Sequence, residues 1–91
     1  MWEMDGHSVI SPDVLARYAV DAAAEVPGVH PTKRGAARVS GGEVEVRLVV
    51  DFGATIPSVA AEVQRRVVDY LQRMADVTPT TVDVLVEDVS R

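Results

Sequence analysis

The chain has 91 residues, no cysteine and a formal net charge of −5. That length holds one domain with a thin core. Without thiols, disulfides, thiolate nucleophiles and cysteine-based zinc sites are excluded, and an acidic chain is a poor partner for phosphate backbones. Apolar residues make up 47% but aromatic residues only 4%, so the core has to be built from Val, Ala, Leu and Ile. Such side chains favour two packed layers with small residues at the contacts. No run approaches the ~20 apolar residues of a membrane span, and Met1 to His7 is mixed and acidic, unlike a secretory signal. These features predict a cytoplasmic protein.

Residues 1–8 show no periodicity and are expected to form a flexible tail, with one domain over 9–91. Trp2 and Met4 in that tail either fold back over the core or anchor a partner. Ser11-Pro12-Asp13 reads as a helix start: a capping hydroxyl, a proline suited to the first helical position, and an acid at the positive helix end. Val14, Leu15, Tyr18, Ala19, Ala22, Ala23 and Val26 then recur at helical spacing. Asp13, Arg17, Asp21 and Glu25 form a narrow polar line. Ala16, Val20 and Ala24 make a second apolar flank beside it. Pro27-Gly28 stops the helix, and Val29 to Gly35 reads as a loop.

Ala36 to Val39 is a short strand, turned by Gly41-Gly42 into the clearest strand of the chain. There Val44, Val46, Leu48, Val50 and Phe52 alternate with Glu45, Arg47, Val49 and Asp51, giving one apolar face and one mostly charged face. Pro57 opens a second helix. Its buried stripe is expected to be Val59, Ala60, Val63, Val67, Tyr70, Leu71 and Met74. Val82, Val84 and Val86, alternating with Asp83, Leu85 and Glu87, make the last strand. A hairpin followed by a helical crossover gives a three-stranded mixed sheet. Because each strand has one apolar face, both helices must lie on that face. The predicted fold is therefore an α+β two-layer sandwich in the order helix–strand–strand–helix–strand.

Catalytic and metal-binding patterns are absent from this sequence. Ser11 and Ser58 both sit at helix starts, His7 lies in the tail and His30 in a loop, so no nucleophile is paired with a base. The carboxylates are spread along element surfaces rather than at ligand spacing. Gly53-Ala54-Thr55 precedes a helix but lacks the lysine and second glycine of a phosphate-binding loop. No enzyme activity, cofactor or metal is expected. The informative surface is the open sheet face, where Val49 and Leu85 form an aliphatic centre beside Arg47 and Glu87. With the Ala16–Val20–Ala24 flank, these residues are the expected interaction surface. The first and last strands are the expected sheet edges.

Ile10-Ser11-Pro12-Asp13 at the first helix start and Glu25-Val26-Pro27-Gly28-Val29 at its end resemble the alkaline shock protein family of bacterial envelope stress proteins. So do Val50-Asp51-Phe52-Gly53, Ile56-Pro57-Ser58-Val59-Ala60, Val63-Gln64 and the run Val82 to Val89. The likeness spans residues 9–90, with Lys33 to Val39 matching poorly and without the polar terminal extensions of longer members. It implies a non-catalytic scaffold or adaptor that associates with itself. It further implies recruitment to the membrane by a small membrane-embedded partner, with no nucleic acid bound and no direct membrane insertion. The alternative is a small KH-like RNA-binding domain, which also uses a three-stranded sheet and helices but predicts a basic Gly-x-x-Gly loop that this sequence lacks.

Overall fold

The computed structural model describes residues 10–30 and 36–90. The tail expected over residues 1–8, and the stretch carrying Lys33 and Arg34, lie outside the described residues.

Helix α1 runs over Pro12–Ala24. The Val14 amide donates to the Ser11 hydroxyl at 3.3 Å, and Pro12 and Asp13 fill the first turn. Leu15, Ala19, Ala22 and Ala23 are buried. Val26 is buried too, but in the turn after the helix. Strands β1 (Ala36–Ser40) and β2 (Glu43–Asp51) form an antiparallel hairpin in which Ala37 faces Val46 and Val39 faces Val44. Its two-residue turn places both glycines at positive φ, 56° at Gly41 and 92° at Gly42. Few other residues adopt that pair of conformations without strain.

Helix α2 (Ile56–Ala75) carries the chain back, and β3 (Thr81–Ser90) then lies parallel to β2 with Val46 beside Val84. The sheet order is β1-β2-β3, so β2 is central and the other two strands are edges. Val44, Val46, Leu48 and Val50 of β2 join Val59, Val63, Val67 and Leu71 of α2 and the buried residues of α1 in a single core cluster. Val82, Val84 and Val86 pack against it half-buried. Helix α1 packs on β1 and β2, and α2 on α1 and β3. Both helices therefore cover one sheet face, as the alternation patterns require.

Three sequence expectations are corrected by the structure. Phe52 does not continue the buried face of β2. The strand ends at Asp51, and Phe52 stands in the following turn, 66% exposed. Met74 keeps the helical phase of the buried stripe but is 50% exposed near the end of α2. Val29 is not simply loop: it bridges Val50, with the His30 amide donating to the Val49 carbonyl at 2.8 Å and the Asp51 amide to the Gly28 carbonyl at 2.7 Å. The chain leaving α1 thus occupies the far half of β2 on the same side that β1 occupies nearer the hairpin. One further irregularity lies in β3, where the ladder shifts so that Leu48 pairs with Val86 but Val49 pairs with Asp88, leaving Glu87 as an extra residue.

Candidate interaction surface

The pleat of β2 turns Glu45, Arg47, Val49 and Asp51 away from the helices, and β3 adds Asp83, Leu85 and Glu87 to the same open face. Arg47 sits at its centre, on the central strand and directly beside Leu85. Its guanidinium lies 3.5 Å from the Glu45 carboxylate and 3.9 Å from that of Glu87. The guanidinium is thereby held over the strands between two acids. Leu85 is 44% exposed and Val49 half-buried. They are diagonal neighbours on adjacent strands. The structure therefore brings together Arg47, Val49, Leu85 and Glu87 as one aliphatic centre with a charged rim. A shallow depression of about 90 Å³ continues the face toward β1, between Ala36, Arg38, Glu45 and Arg47.

Ala16, Val20 and Ala24 are not part of that face. They form a row on α1, half-buried at Ala16 and Val20 and exposed at Ala24. At 3.6 residues per turn the row lies well around the helix from Tyr18, whose ring packs edge-on against Tyr70 of α2 with centroids 5.8 Å apart. The row is thus on the flank away from α2. The seven expected interaction residues form two separate surfaces, on opposite layers of the sandwich.

One exposed apolar group was not anticipated from the sequence. The Phe52 amide donates to the Ser90 carbonyl at 2.7 Å, which places Phe52 at the end of β3 beside Val89. Ile56 begins α2 four residues on, and all three side chains are at least 40% exposed. The signal was present in the sequence: Gly53, at φ 90°, directly follows Phe52, so strand pairing has to end there.

Where α1 meets α2, an open groove of about 280 Å³ is lined by Val26, Pro27, Ser58, Val59, Glu62 and Arg66. It holds the one serine whose setting invites a catalytic question. Its neighbouring acid is already engaged, however. Glu62 accepts hydrogen bonds from Arg66 Nε at 2.9 Å and from Arg65, and Arg66 also reaches Glu25, the C-cap of α1, at 3.9 Å. The Arg66 hydrogen bond, against some desolvation, and then Arg65 hold the Glu62 carboxyl below its ordinary value of 4.5. A carboxylate stabilised as the anion by two guanidinium groups is a weak proton acceptor. Among the described residues no group of three or more His, Cys, Asp or Glu is arranged to hold a metal ion, and no helix is long and apolar enough to cross a membrane.

These features define a small α+β two-layer sandwich. A family model matches residues 36–91, and the chain belongs to that family, the alkaline shock protein 23 family, described as having a cell envelope-related function. The matched region runs from β1 through β3. The motifs around α1 that also resemble the family lie outside it. No curated protein matches the chain. Among solved structures, a histidine-to-alanine variant of MamM-CTD is similar at 24% identity, with a TM-score of 0.53, over 86% of this chain and 98% of that one. A second such variant is similar at 23% identity, with a TM-score of 0.51, over 84% of this chain and 95% of that one. At that identity the likeness is one of fold.

Proposed function

We propose that this protein is a non-catalytic scaffold or adaptor of the cell-envelope stress response, working through protein–protein contacts that include self-association. The observation that carries this reading is the open sheet face. An aliphatic pair, Val49 and Leu85, is left uncovered on the side away from both helices and ringed by Arg47, Glu45 and Glu87. An apolar centre in a polar rim is the composition of a protein interface. The family's cell envelope-related description supports placing that contact in envelope physiology. A cytoplasmic chain of this kind reaches the membrane surface through a membrane-embedded partner. The whole of residues 9–91 acts as one domain in this reading.

Affinity through the sheet face is expected to be modest, because its centre is two aliphatic residues with no aromatic anchor. Sedimentation velocity over a concentration series tests the reading with the wild type, Leu85→Lys and Val20→Glu. Wild type should shift toward a dimer, and Leu85→Lys should stay monomeric with its circular dichroism unchanged. Val20→Glu should behave as wild type if the sheet face is the contact and lose association if the α1 flank is. A wild-type chain that stays monomeric at its solubility limit removes self-association from the proposal.

A further inference from the structure

The outer edge of β3 is the longer of the two open edges of this sheet. It is ten residues long, and no described strand pairs with its far side. The direction of its backbone groups follows from two hydrogen bonds. The Val82 carbonyl accepts from Gln64 Nε2 of α2 at 2.9 Å, so the Val82 carbonyl points outward, away from β2. The Ser90 carbonyl accepts from Phe52, which continues β2, so it points inward. The extra residue at Glu87 reconciles the two parities. Because N–H and C=O alternate sides along a strand, Val84 and Val86 also present their amides and carbonyls outward.

Helix α2 roofs this edge. The bond from Gln64 shows that the helix flank reaches the outer side of β3. Along the same flank runs an open groove of about 510 Å³ lined by Ala61, Gln64, Arg65, Val68, Asp69 and Gln72. Ala61 and Val68 are its apolar part, on the outer flank of the helix. On the opposite face of the same edge, Asp83 and Glu87 flank Leu85. Asp83 forms no ion pair among the described residues.

We propose that the β3 edge is an acceptor site for an extended peptide strand from a partner protein, one that alternates aliphatic side chains with Lys or Arg. Its backbone continues the sheet through Val84 and Val86. Its aliphatic residues lie on the helix side of the edge, along the α2 flank that carries Ala61 and Val68, and its basic residues lie on the open face against Asp83 and Glu87. Charge complementarity selects this occupant over a second copy. The acids on the edge are the usual guard against uncontrolled pairing. They repel a chain whose own net charge is −5, and a basic strand converts that guard into an attraction. The contact shares Glu87 with the sheet-face dimer proposed above, but protection of the outward Val84 and Val86 amides reads it separately from the Leu85→Lys test of that dimer.

The test is a titration of the full chain with two synthetic peptides, one alternating valine with arginine and one alternating valine with glutamate. Binding is followed by amide hydrogen exchange at low and at physiological salt. The arginine peptide should protect the Val84 and Val86 amides, bind about tenfold tighter than the glutamate peptide, and weaken with salt. The exposed double change Asp83→Lys with Glu87→Lys should reverse the preference while leaving the fold intact by circular dichroism. Equal binding of the two peptides, or protection confined to β1 or the helices, overturns the proposal. So does protection of Val84 and Val86 in the chain alone as its concentration rises, which would assign the edge to a second copy.

Discussion

Strands β2 and β3 are written in nearly the same pattern and meet different fates. Val44-Glu45-Val46-Arg47-Leu48 and Val82-Asp83-Val84-Leu85-Val86 both place an aliphatic residue at every second position. The core-facing residues of β2 are fully buried, with Val46 at 0% exposure, whereas Val82, Val84 and Val86 are only half-buried. The difference is position, not composition. A central strand has a neighbour on each side and two helices above it, while β3 has one neighbour and the flank of one helix. Helix α2 repeats the asymmetry. One flank is fastened to α1 through Tyr18–Tyr70 and Arg66–Glu25, and the other faces the bare edge, where Gln64 donates to the Val82 carbonyl and Gln72 to the Thr78 hydroxyl. The molecule has a finished side and an unfinished one.

The largest expected effect sets the two strands directly against each other. Val46→Asp puts a carboxylate where no water reaches, and several kcal/mol, of order 4 or more, should be lost. That is most of the margin of a domain this small, so the variant should be largely unfolded at neutral pH. Val84→Asp occupies the paired position on β3, where the side chain can turn past the edge to solvent, and should cost about 2 kcal/mol. Urea denaturation of both variants measures the gap. Equal losses would mean that β3 is as enclosed as β2, and the distinction between a finished and an unfinished side would fail.

Gly28 tests the finished side from a different direction. It lies at φ 99°, and a Cβ placed there comes 2.7 Å from Val59 Cγ2. The residue also holds the exit from α1 against β2, through its carbonyl and the Val29–Val50 bridge. Gly28→Ala combines a left-handed backbone with a clash against a buried side chain, and should cost about 1–3 kcal/mol. Gly41→Ala is the control. Its φ is also positive, at 56°, but nothing lies within 4 Å of the added carbon, so the loss should be smaller, about 1 kcal/mol. Indistinguishable melting temperatures for the two variants would show that the α1 exit is not packed as tightly as drawn.

The element order, hairpin and shared helix face were legible in the sequence because each rests on a local period: two for the strands, 3.6 for the helices. Ser11, Pro12 and Gly41-Gly42 marked their boundaries correctly for the same reason. What was illegible depends on neighbours distant in the chain. Phe52 continues the period of β2 but lies past the point where pairing stops. Met74 continues the stripe of α2 near the helix end, where it is half exposed. Val29 pairs with Val50 across twenty-one positions, a relation no local pattern encodes. The irregularity at Glu87 likewise comes from the ladder with β2. The open-face residues Arg47, Val49, Leu85 and Glu87 were readable as a group, since alternation alone assigns a face. The β3 edge was readable as an edge too, but the α2 flank beside it was not, because that needs the position of a helix flank relative to a strand that follows it.

The smallest expected effect concerns the ion cluster that fastens α2 to α1. Glu62 accepts from Arg66 and Arg65, and its carboxyl is held below 4.5 by those partners. A group whose folded value is depressed adds stability that is fully present above its unfolded value and disappears as the pH falls through the folded one. The contribution of Glu62 is therefore complete at neutral pH and fades below about 4.5, where other carboxylates also begin to titrate. Glu62→Gln keeps the shape and removes the titration. At neutral pH the variant should be slightly less stable than wild type, and the two should converge as the pH is lowered past 4. Because Glu62 is partly exposed, added salt should shrink the neutral-pH difference. The comparison on the unfinished flank is Gln64→Glu, which places a carboxylate where Gln64 now donates to the Val82 carbonyl. That variant should lose stability at neutral pH and recover it on acidification, so the introduced carboxylate contributes with the opposite pH slope from the native Glu62 carboxylate. A Gln64→Glu variant that gains stability as the pH rises, as the Glu62 carboxylate makes wild type do, would mean that the flanks of α2 are electrostatically alike, and that the ion cluster does not mark one side as the side already partnered.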